Sequence, residues 1–384
     1  MKDVFVPMPP EETNEVEPRQ EMTFPLPEEF LGRMEELELP AHKKAYEQVL
    51  AIARAIQEAG GKAFLVGGSV RDVFFGKISK DFDVEVYGLE AEQIDEIVRR
   101  HAKVSEVGAA FGVLKLSFGN GIEVDISLPR KDSKVAEGHR GFDVNTDPHM
   151  SITEATRRRD FTMNTLSADP FTGQINDPFG GMKDIRERRL RVTDGERFGD
   201  DPIRVLRGVQ FVARFGLEVD PESMQIMQEV IPRLKKETSK ERIWEEWKKL
   251  LLKSEKPSIG LSIGHTLGAL RELHPELIDG LTQRQSEELS EGTDRWMQML
   301  MSVDEMAKII RRESLNEHDA FIFMLATVAS NLVTGDKRGG RESEKQEQVD
   351  LRSVNAFLDS ISSDNETRQQ VLSMVASRRV PVDF

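Results

Sequence analysis

A glycine pair followed by two spaced aspartates is the feature that most constrains this chain. The apolar run Ala63–Val66 ends at Gly67 and Gly68, where backbone amides can approach an anion. Farther on, Asp81 and Asp83 alternate with apolar residues, which predicts a strand with both carboxylates on one face. Adjacent carboxylates repel each other unless a cation lies between them, and Mg²⁺ with phosphate oxygens suits such a pair. The pattern predicts a two-metal phosphoryl- or nucleotidyl-transfer site.

Each half of this pattern has an ordinary structural interpretation, a turn or a solvated strand face, but the combination is specific. The segments Gly67-Gly68-Ser69-Val70-Arg71-Asp72 and Asp81-Phe82-Asp83-Val84 resemble the nucleotidyltransferase core of the DNA polymerase β superfamily. They are most similar to bacterial class II CCA-adding tRNA nucleotidyltransferases and their poly(A) polymerase relatives. The resemblance implies that Gly67, Gly68 and Arg71 cradle phosphates and that Asp81 and Asp83 are catalytic ligands of Mg²⁺.

Composition limits the function classes. The 384-residue chain has a formal net charge of −15, so RNA binding would need a local basic groove rather than a generally basic surface. The absence of cysteine excludes disulfides, thiolate zinc ligands and a cysteine nucleophile. No apolar run approaches the roughly 20 residues of a membrane span, and no secretory or mitochondrial targeting pattern is present. We therefore expect a soluble cytoplasmic protein.

Periodicity predicts an α+β protein. A helix is predicted from Ala41 to about Gly60 and another over residues 91–101, while Asn120-Gly121 separates two strand patterns as in a hairpin. The polar stretch 129–150 is predicted to be a functional or disordered loop. With the resemblance, this gives a polymerase β-like head with a small mixed sheet, followed by an all-α neck, body and tail.

Four regions are expected along the chain. Residues 1–40 are rich in proline and glutamate and are predicted to be a flexible acidic leader. The nucleotidyltransferase head is assigned to residues 41–170, the base-reading and RNA-binding neck and body to 171–280, and a helical tail to 281–384.

A second motif, Arg158-Arg159-Asp160-Phe161-Thr162-Met163-Asn164, matches the ribose and triphosphate motif of the class II family. The resemblance implies that Arg158 and Arg159 offer guanidinium forks to phosphate oxygens, and that Asp160 and Asn164 hydrogen-bond the ribose 2′-hydroxyl.

Two further motifs continue the resemblance. Asp177-Pro178-Phe179-Gly180-Gly181 reads as a turn before a helix, and in the family it is a hinge between head and neck. Asp200-Asp201-Pro202-Ile203-Arg204 is similar to the family's protein template, with Asp200 in place of its leading glutamate. The resemblance implies that Asp201 and Arg204 read the base of the incoming nucleotide and that Arg207 also binds nucleotide. The rival interpretation is a helix-start acid paired with a nearby arginine.

Two candidates rest on weaker signals. Glu123 and Asp125 lie on one face of a predicted strand, and Glu123 aligns better with the family's third metal carboxylate. Arg140 lies in a segment that resembles the family's mobile loop and is a candidate for reshaping the pocket between C and A addition.

The C-terminal region resembles an HD domain that has lost its metal ligands, since Gln298 and Ser330-Asn331 stand where relatives carry histidine and aspartate. Without imidazole and carboxylate ligands, no divalent metal site is expected there. A phosphohydrolase activity of the tail is therefore disfavoured.

Taken together, the sequence predicts a template-independent nucleotidyltransferase that adds CMP and AMP from CTP and ATP to the 3′ acceptor end of tRNA. Basic neck and body residues could contact the RNA: Arg204, Arg207, Arg214, Lys235, Lys236 and Lys240. The alternatives are a CC-adding or A-adding enzyme, a poly(A) polymerase, and a catalytically silent RNA-binding protein. The last would require a missing catalytic residue, and Asp81, Asp83 and Arg158 are all present.

Overall fold

A computed structural model describes residues 27–35, 40–77, 79, 81–105, 113–117, 122–134, 142–282, 295–334, 348–349, 351–361 and 364–377. The strands are β1 (Lys62–Val66), β2 (Phe82–Tyr87), β3 (Val104–Ser105), β4 (Val113–Ser117), β5 (Glu123–Ser127), β6 (Arg130–Lys134), β7 (Phe142–Thr146), β8 (Ser167–Ala168), β9 (Ile175–Asn176), β10 (Arg189–Leu190), β11 (Glu218–Val219), β12 (Val333–Thr334) and β13 (Gln348–Val349). The first helices are α1 (Pro27–Glu35), α2 (Pro40–Glu58), α3 (Gly68–Phe74), α4 (Ala91–His101), α5 (Ile152–Arg157), α6 (Gly181–Arg186), α7 (Gly195–Phe198) and α8 (Arg204–Phe215). The remaining helices are α9 (Pro221–Glu237), α10 (Lys240–Lys253), α11 (Pro257–Leu267), α12 (Ala269–Leu273), α13 (Pro275–Thr282), α14 (Arg295–Glu313), α15 (Glu317–Ser330), α16 (Leu351–Ile361) and α17 (Asn365–Ala376).

The head contains a seven-stranded mixed sheet in the order β3-β4-β5-β2-β1-β8-β9. Only β2 and β5 pair in parallel within it; the other neighbours are antiparallel. This confirms the predicted α+β class and mixed sheet. The sheet continues through β9, so the head extends beyond the boundary expected at residue 170. The strands on either side of Asn120-Gly121 pair as predicted, although the turn itself lies outside the described residues.

Strand β2 separates an apolar face from an acidic one. Phe82, Val84 and Val86 are buried, and the Phe82 ring lies 5.9 Å from that of Tyr46 on α2. Alternation sends Asp83 to the opposite face of the sheet. Burial of the apolar face therefore fixes the direction in which the carboxylates point.

The leader prediction needs correction for its last part. Residues 27–35 form helix α1, in which Phe30 and Met34 are completely or almost completely buried in the main hydrophobic core. Arg33 also donates a 2.7 Å hydrogen bond to the carbonyl of Val73. The composition, rich in proline and glutamate, did not predict this helix, because only two apolar side chains anchor it in the core.

The polar stretch after residue 129 is partly regular. Strands β6 and β7 pair antiparallel over five residue pairs, from Arg130 opposite Thr146 to Lys134 opposite Phe142. The loop prediction was therefore wrong for these two strands, where β-ribbon pairing satisfies the backbone groups. Arg140 lies outside the described residues.

The neck and body are mainly helical, as predicted, but they are not all-α, because β10 pairs with β11 there and β12 pairs with β13 in the tail. Helix α8 packs against α10 and α11, and it ends at Gly216, whose φ of 61° suits glycine. Close helix packing depends on small residues: a Cβ added to Gly260 would lie 2.3 Å from Leu250 Cδ1. One hydrophobic cluster runs from Phe30 to Val375, so head, body and tail share a continuous core.

A buried histidine joins the tail to the body. The indole nitrogen of Trp247 donates to His274 Nε2 at 3.0 Å, and His274 Nδ1 lies 2.5 Å from Ser360 Oγ on α16. Burial, with Lys235 nearby, lowers the pKa of His274 to about 3. The imidazole is therefore neutral and can accept from Trp247 while donating to Ser360.

The Asp177 turn buttresses the second arginine motif. Asp177 caps α6 by accepting hydrogen bonds from the backbone amides of Gly181 at 2.6 Å and Met182 at 3.0 Å. Gly181 also packs directly on the peptide carbonyl of Thr162, and one turn on, Asp184 accepts a 2.6 Å hydrogen bond from the Thr162 hydroxyl. These contacts support the arginine motif. The hinge role stays a prediction.

Gly181→Ala should destabilise the head. The added Cβ would lie 2.3 Å from the Thr162 carbonyl oxygen, and backbone cannot move aside as a side-chain tip can. We expect a loss of about 1–3 kcal/mol in the free energy of unfolding, measured by urea denaturation. Gly32→Ala on α1 is the control, because nothing lies within 4 Å of its added Cβ. Equal stability of Gly181→Ala and the unsubstituted protein would contradict this packing.

Candidate active site

The parallel pairing of β2 with β5 brings aspartates from two strands together. Asp83 is directly opposite Asp125 in the register, and Phe82 is opposite Val124. Asp81 lies at the start of β2, where its Oδ1 accepts a 3.2 Å hydrogen bond from the backbone amide of Glu123. The predicted carboxylate pair is therefore joined by a third carboxylate from β5.

Crowding of these acids changes the pKa of Asp83. Water can reach the side chain, but the walls of a cavity surround it. Removal from bulk water, together with the charges of Asp125 and Asp81, raises the pKa of Asp83 to about 6, although Arg159 and Lys115 act in the opposite direction. A divalent cation among these oxygens would relieve the repulsion, so the donor set fits a hard metal ion.

The third carboxylate is better placed at Asp125 than at the expected Glu123. Asp125 lines the cavity with Asp83, whereas the Glu123 side chain is 56% exposed and lies 3.6 Å from Lys115. Lys115 also approaches Asp125 to 2.8 Å. Among the described residues, no group of three or more His, Asp or Glu side chains stands ready-made for a metal ion. Lys115 compensates the charge of Asp125 in this arrangement.

The glycine turn lets side chains from two motifs approach the backbone. Gly67 has a φ of 64°, and a Cβ at this position would lie 3.0 Å from Arg159 Nη1 and 3.6 Å from Asp83 Oδ2. Ser69 closes the turn by donating a 2.7 Å hydrogen bond to the Val66 carbonyl. Glycine is required here both for the backbone conformation and for the close approach.

A chain of hydrogen-bonded polar groups links the head to the neck. Arg71 donates to Asn164 Oδ1 at 2.6 Å, Asn164 donates to Asp160 Oδ1 at 2.7 Å, and Arg207 of α8 donates to Asp160 Oδ2 at 2.6 Å. The predicted ribose-binding residues thus already orient two arginines. Their contact with a ribose stays a prediction.

Asp160 is held as a carboxylate. Burial alone would raise its pKa, but Arg207 and the hydrogen bond from Asn164 outweigh burial and lower the pKa of Asp160 to about 2. The same pairing raises the pKa of Arg207. The charge pair is therefore a fixed part of the site at neutral pH.

The predicted base-reading residues are engaged with other elements. Arg242 of α10 donates to both carboxylate oxygens of Asp201, at 2.9 and 2.6 Å. Arg204 donates to the backbone carbonyls of Arg197 at 2.9 Å and Arg158 at 2.8 Å. Asp201 precedes α8 and therefore does not share a helix face with Arg204. The Asp201 carboxylate pairs with Arg242 instead, and the Arg204 guanidinium bonds to the two backbone carbonyls.

Asp83, Asp125 and the arginines described above border one cavity of about 440 Å³, whereas Asp81 lies beside it and is not part of its lining. Seven arginines and four aspartates line it, which favours a polyanionic ligand. Its lining residues are Val66, Gly67, Gly68, Arg71, Asp83, Val113, Asp125, Ser127, Arg130, Arg158, Arg159, Asp160, Asn164, Asp201, Arg204, Arg207 and Arg242.

Two family models match this chain. Residues 63–191 match the one described as "Poly A polymerase head domain", and residues 216–281 match "Probable RNA and SrmB- binding site of polymerase A". The first range contains the glycine turn, the carboxylate strand and the arginine motif. These two ranges of the chain are therefore similar to the head and RNA-binding regions of the poly A polymerase family. This confirms the predicted resemblance, and the polymerase β-type enzymes of this family generally depend on a metal ion.

Curated relatives carry the name "Multifunctional CCA protein". The one from Xanthomonas campestris pv. campestris (strain B100) is 37% identical over 229 residues, which is 58% of this chain and 53% of the relative. The one from Vibrio vulnificus (strain YJ016) is 33% identical over 253 residues, 65% of this chain and 59% of the relative. The chain thus spans about half the length of the curated relatives it matches.

Solved structures confirm the fold. "The structure of CCA-adding enzyme apo form II" aligns with a TM-score of 0.61 at 20% identity, covering 91% of this chain and 76% of that one. A "tRNA nucleotidyltransferase complexed with a primer tRNA and an incoming ATP analog" aligns with a TM-score of 0.59 at 22% identity, covering 84% and 83%.

Three charged members of the cavity wall were not assigned to the site from the sequence. Arg130 belongs to β6, Asp125 was ranked behind Glu123, and Arg242 belongs to α10 of the helical body. Nothing in their local sequence shows that they face the family's motifs. Alternation along β5 was the one usable signal, and it fitted both acids equally.

Ser330 and Asn331, which stand where relatives carry metal ligands, bond to backbone carbonyls of α15. The Ser330 hydroxyl donates to the Ala326 carbonyl at 2.6 Å, and Asn331 donates to the Thr327 carbonyl at 2.9 Å, both within α15. Both side chains thus hydrogen-bond to the backbone of their own helix.

Among the described helices, none is long and apolar enough to cross a bilayer.

Asp160→Asn should destabilise the protein in a pH-dependent manner. The folded-state pKa of about 2 is lower than the ordinary value of 3.8, so ionised Asp160 stabilises the fold above about pH 4. We expect a loss of about 2 kcal/mol at pH 7, which shrinks as the pH falls from 4 towards 2. Urea denaturation of both proteins at pH 7, 5 and 3 measures it. A difference independent of pH would contradict the charge pairing.

Proposed function

We propose that this chain is a nucleotidyltransferase that adds CMP and AMP, from CTP and ATP, to the 3′ acceptor end of tRNA and releases pyrophosphate. The observation that carries the proposal is the single cavity in which carboxylates of β2 and β5 face an arginine-rich wall. The family match and the names of the relatives and solved structures support the choice of reaction.

Asp81, Asp83 and Asp125 would hold Mg²⁺. When bound, Mg²⁺ neutralises charge on the triphosphate and favours the alkoxide form of the attacking hydroxyl. The RNA 3′-oxygen would attack the α-phosphorus of the nucleotide in line. Its bond to phosphorus forms as the bond to the pyrophosphate oxygen breaks, and the proton of the 3′-hydroxyl passes to solvent.

The arginines bind the rest of the nucleotide. Arg158 and Arg159 face the glycine turn across the cavity and offer bidentate hydrogen bonds to phosphate oxygens. Arg71 and Arg207 are fixed by Asn164 and Asp160 and extend the same positive surface. A triphosphate therefore has donors on two sides before it binds, which lowers the cost of ordering the site.

Base selection follows from hydrogen-bond chemistry. Cytosine and adenine share an exocyclic amino donor beside a ring-nitrogen acceptor, whereas uracil and guanine present a carbonyl at the first position. Asp201 can accept from the amino group, and Arg204 can donate to the ring nitrogen. Arg242 fixes the Asp201 carboxylate through two hydrogen bonds, so its direction is set before the base arrives.

The extent of addition is settled by the RNA products. The protein is incubated with tRNA lacking the CCA triplet, or ending after CC, and with CTP and ATP separately and together. Addition of CC and then a single A supports the proposal. Addition of C residues alone, of one A alone, or of an A tract would assign the chain to a CC-adding, A-adding or poly(A) enzyme. No addition to any RNA would refute the proposal.

Asp83→Asn should abolish the transfer of both nucleotides. Loss of one carboxylate removes a metal ligand at the reacting phosphorus, and we expect a decrease of about 1,000-fold or more in kcat. tRNA binding in a filter assay should change little, since phosphate contacts elsewhere supply most of the affinity. Asp95→Asn removes a half-buried carboxylate of α4 that pairs with Arg99 outside the cavity; it serves as a control and should retain full activity. Activity of Asp83→Asn near that of the control would overturn the site.

Asp201→Asn should relax base selection. The amide keeps the shape but replaces a carboxylate oxygen with a donor, so the amino group of C or A loses an acceptor and uracil or guanine gains a partner. We expect discrimination against UTP and GTP to fall by roughly ten- to a hundredfold. Incorporation of all four nucleotides at saturating tRNA measures the change.

Lys235→Ala on α9 provides the contrast for this experiment. It removes a basic residue outside the cavity, so it should alter tRNA affinity and leave nucleotide preference intact. If Asp201→Asn behaved like Lys235→Ala, the base-reading assignment would be wrong.

A further inference from the structure

A buried glutamate, Glu85, lies next to Arg158 and Arg159 of the cavity lining. It has no part in the chemistry described above. Glu85 is on β2, two residues after Asp83 on the same face of the strand, and it is 0% exposed. A carboxylate is rarely buried without partners, because removal from water strongly disfavours its charge. Its neighbours therefore indicate why it is there.

The guanidinium groups of two arginines in the candidate active site share the Glu85 carboxylate. Glu85 Oε1 lies 3.5 Å from Arg158 Nη2 and 3.8 Å from Arg159 Nη2. Two guanidinium groups this close to one point repel each other unless a negative charge lies between them. Glu85 supplies that charge from outside the cavity lining, to which both Arg158 and Arg159 belong.

The other oxygen of Glu85 is also held. The Tyr87 hydroxyl donates to Glu85 Oε2 at 2.7 Å. Burial and the adjacent Glu85 charge raise the pKa of Tyr87 well above its usual range, so the phenol keeps its proton. The Glu85 carboxylate is thereby fixed on one side while its other oxygen faces the arginines.

We infer that Glu85 is a positioning residue that holds Arg158 and Arg159 as a pair oriented towards the β- and γ-phosphates of the nucleotide. This inference rests on the proposed function and assigns Glu85 no contact with substrate. Tyr87 holds Glu85 in turn. The triphosphate affinity of the site therefore depends on a carboxylate that the ligand never touches.

The variant that tests this is Glu85→Gln, which keeps the shape of the side chain and removes its charge. Equilibrium dialysis with Mg²⁺ gives the affinities of ATP and AMP. We expect ATP to bind about tenfold more weakly, the loss of one hydrogen bond to a charged group, while AMP changes less than about twofold. Nucleotide KM should rise by a similar factor with a smaller change in kcat.

A matched control separates positioning from general destabilisation. Asp220, the buried cap of α9, also serves two arginines, Arg189 at 3.5 Å and Arg191 at 3.2 Å, and none of these residues lines the cavity. Asp220→Asn removes one buried negative charge, and asparagine can still cap the helix. It should leave the ratio of ATP to AMP affinity unchanged.

Two milder variants keep the test decisive if Glu85→Gln folds poorly. Glu85→Asp retains the charge and should keep ATP affinity closer to that of the unsubstituted protein than Glu85→Gln does. Tyr87→Phe removes only the hydroxyl and should weaken ATP by about two- to threefold.

Three results would overturn the inference. The first is ATP bound as tightly or more tightly by Glu85→Gln, since gained positive charge would then outweigh any loss of orientation. The second is an equal loss in Asp220→Asn, and the third is unchanged ATP affinity in Tyr87→Phe. Failure of the unsubstituted protein to bind either nucleotide would refute the proposed function and this inference with it, and it is seen before any variant is compared.

Discussion

The alternation of β2 is the constraint on which the rest of the structure depends. Its apolar side chains must lie against α2, because burial of Phe82, Val84 and Val86 is a large part of the head's core. A slip of one residue would place these side chains in the cavity and the acids in the core. Burial of the apolar side chains on one face of the strand thus orients the carboxylates on the other face towards the cavity.

The arginine wall shows how a concentrated positive charge is kept in a folded chain. The guanidinium groups near the cavity have protein partners that fix them: Asn164 for Arg71, Asp160 for Arg207, and backbone carbonyls for Arg204. Each of these arginines also lines the cavity, so its guanidinium group is held in place where a ligand would bind. Preorganisation of this kind reduces the entropy lost when a polyanion binds.

Local patterns predicted most of the fold, while contacts across the chain decided what they missed. Helix α4 and the strands beside Asn120-Gly121 follow from periodicity, which needs no tertiary information. Helix α1 escaped because its composition resembles a flexible leader, although Phe30 and Met34 dock it in the core.

The candidate site shows the same division. The glycine turn, Asp83 and the Arg158 motif were identified from contiguous residues, and the structure brings them together. Asp125 was ranked behind Glu123 and Arg242 was not identified, because the register of parallel β2 and β5 and the packing of α10 cannot be read from neighbours in the sequence. Only the folded arrangement distinguishes Asp125 from Glu123 on one strand face.

Helix α10 connects the tail to the candidate active site. The same rigid segment carries Arg242, which holds Asp201, and Trp247, which is bonded to His274 and packed 5.6 Å from the ring of Phe357. Tail helix α16 thereby clamps the segment whose other contact sets the direction of Asp201. The packing of the tail on α10 therefore bears on the orientation of a carboxylate in the cavity wall, although no tail residue lines that cavity among the described residues.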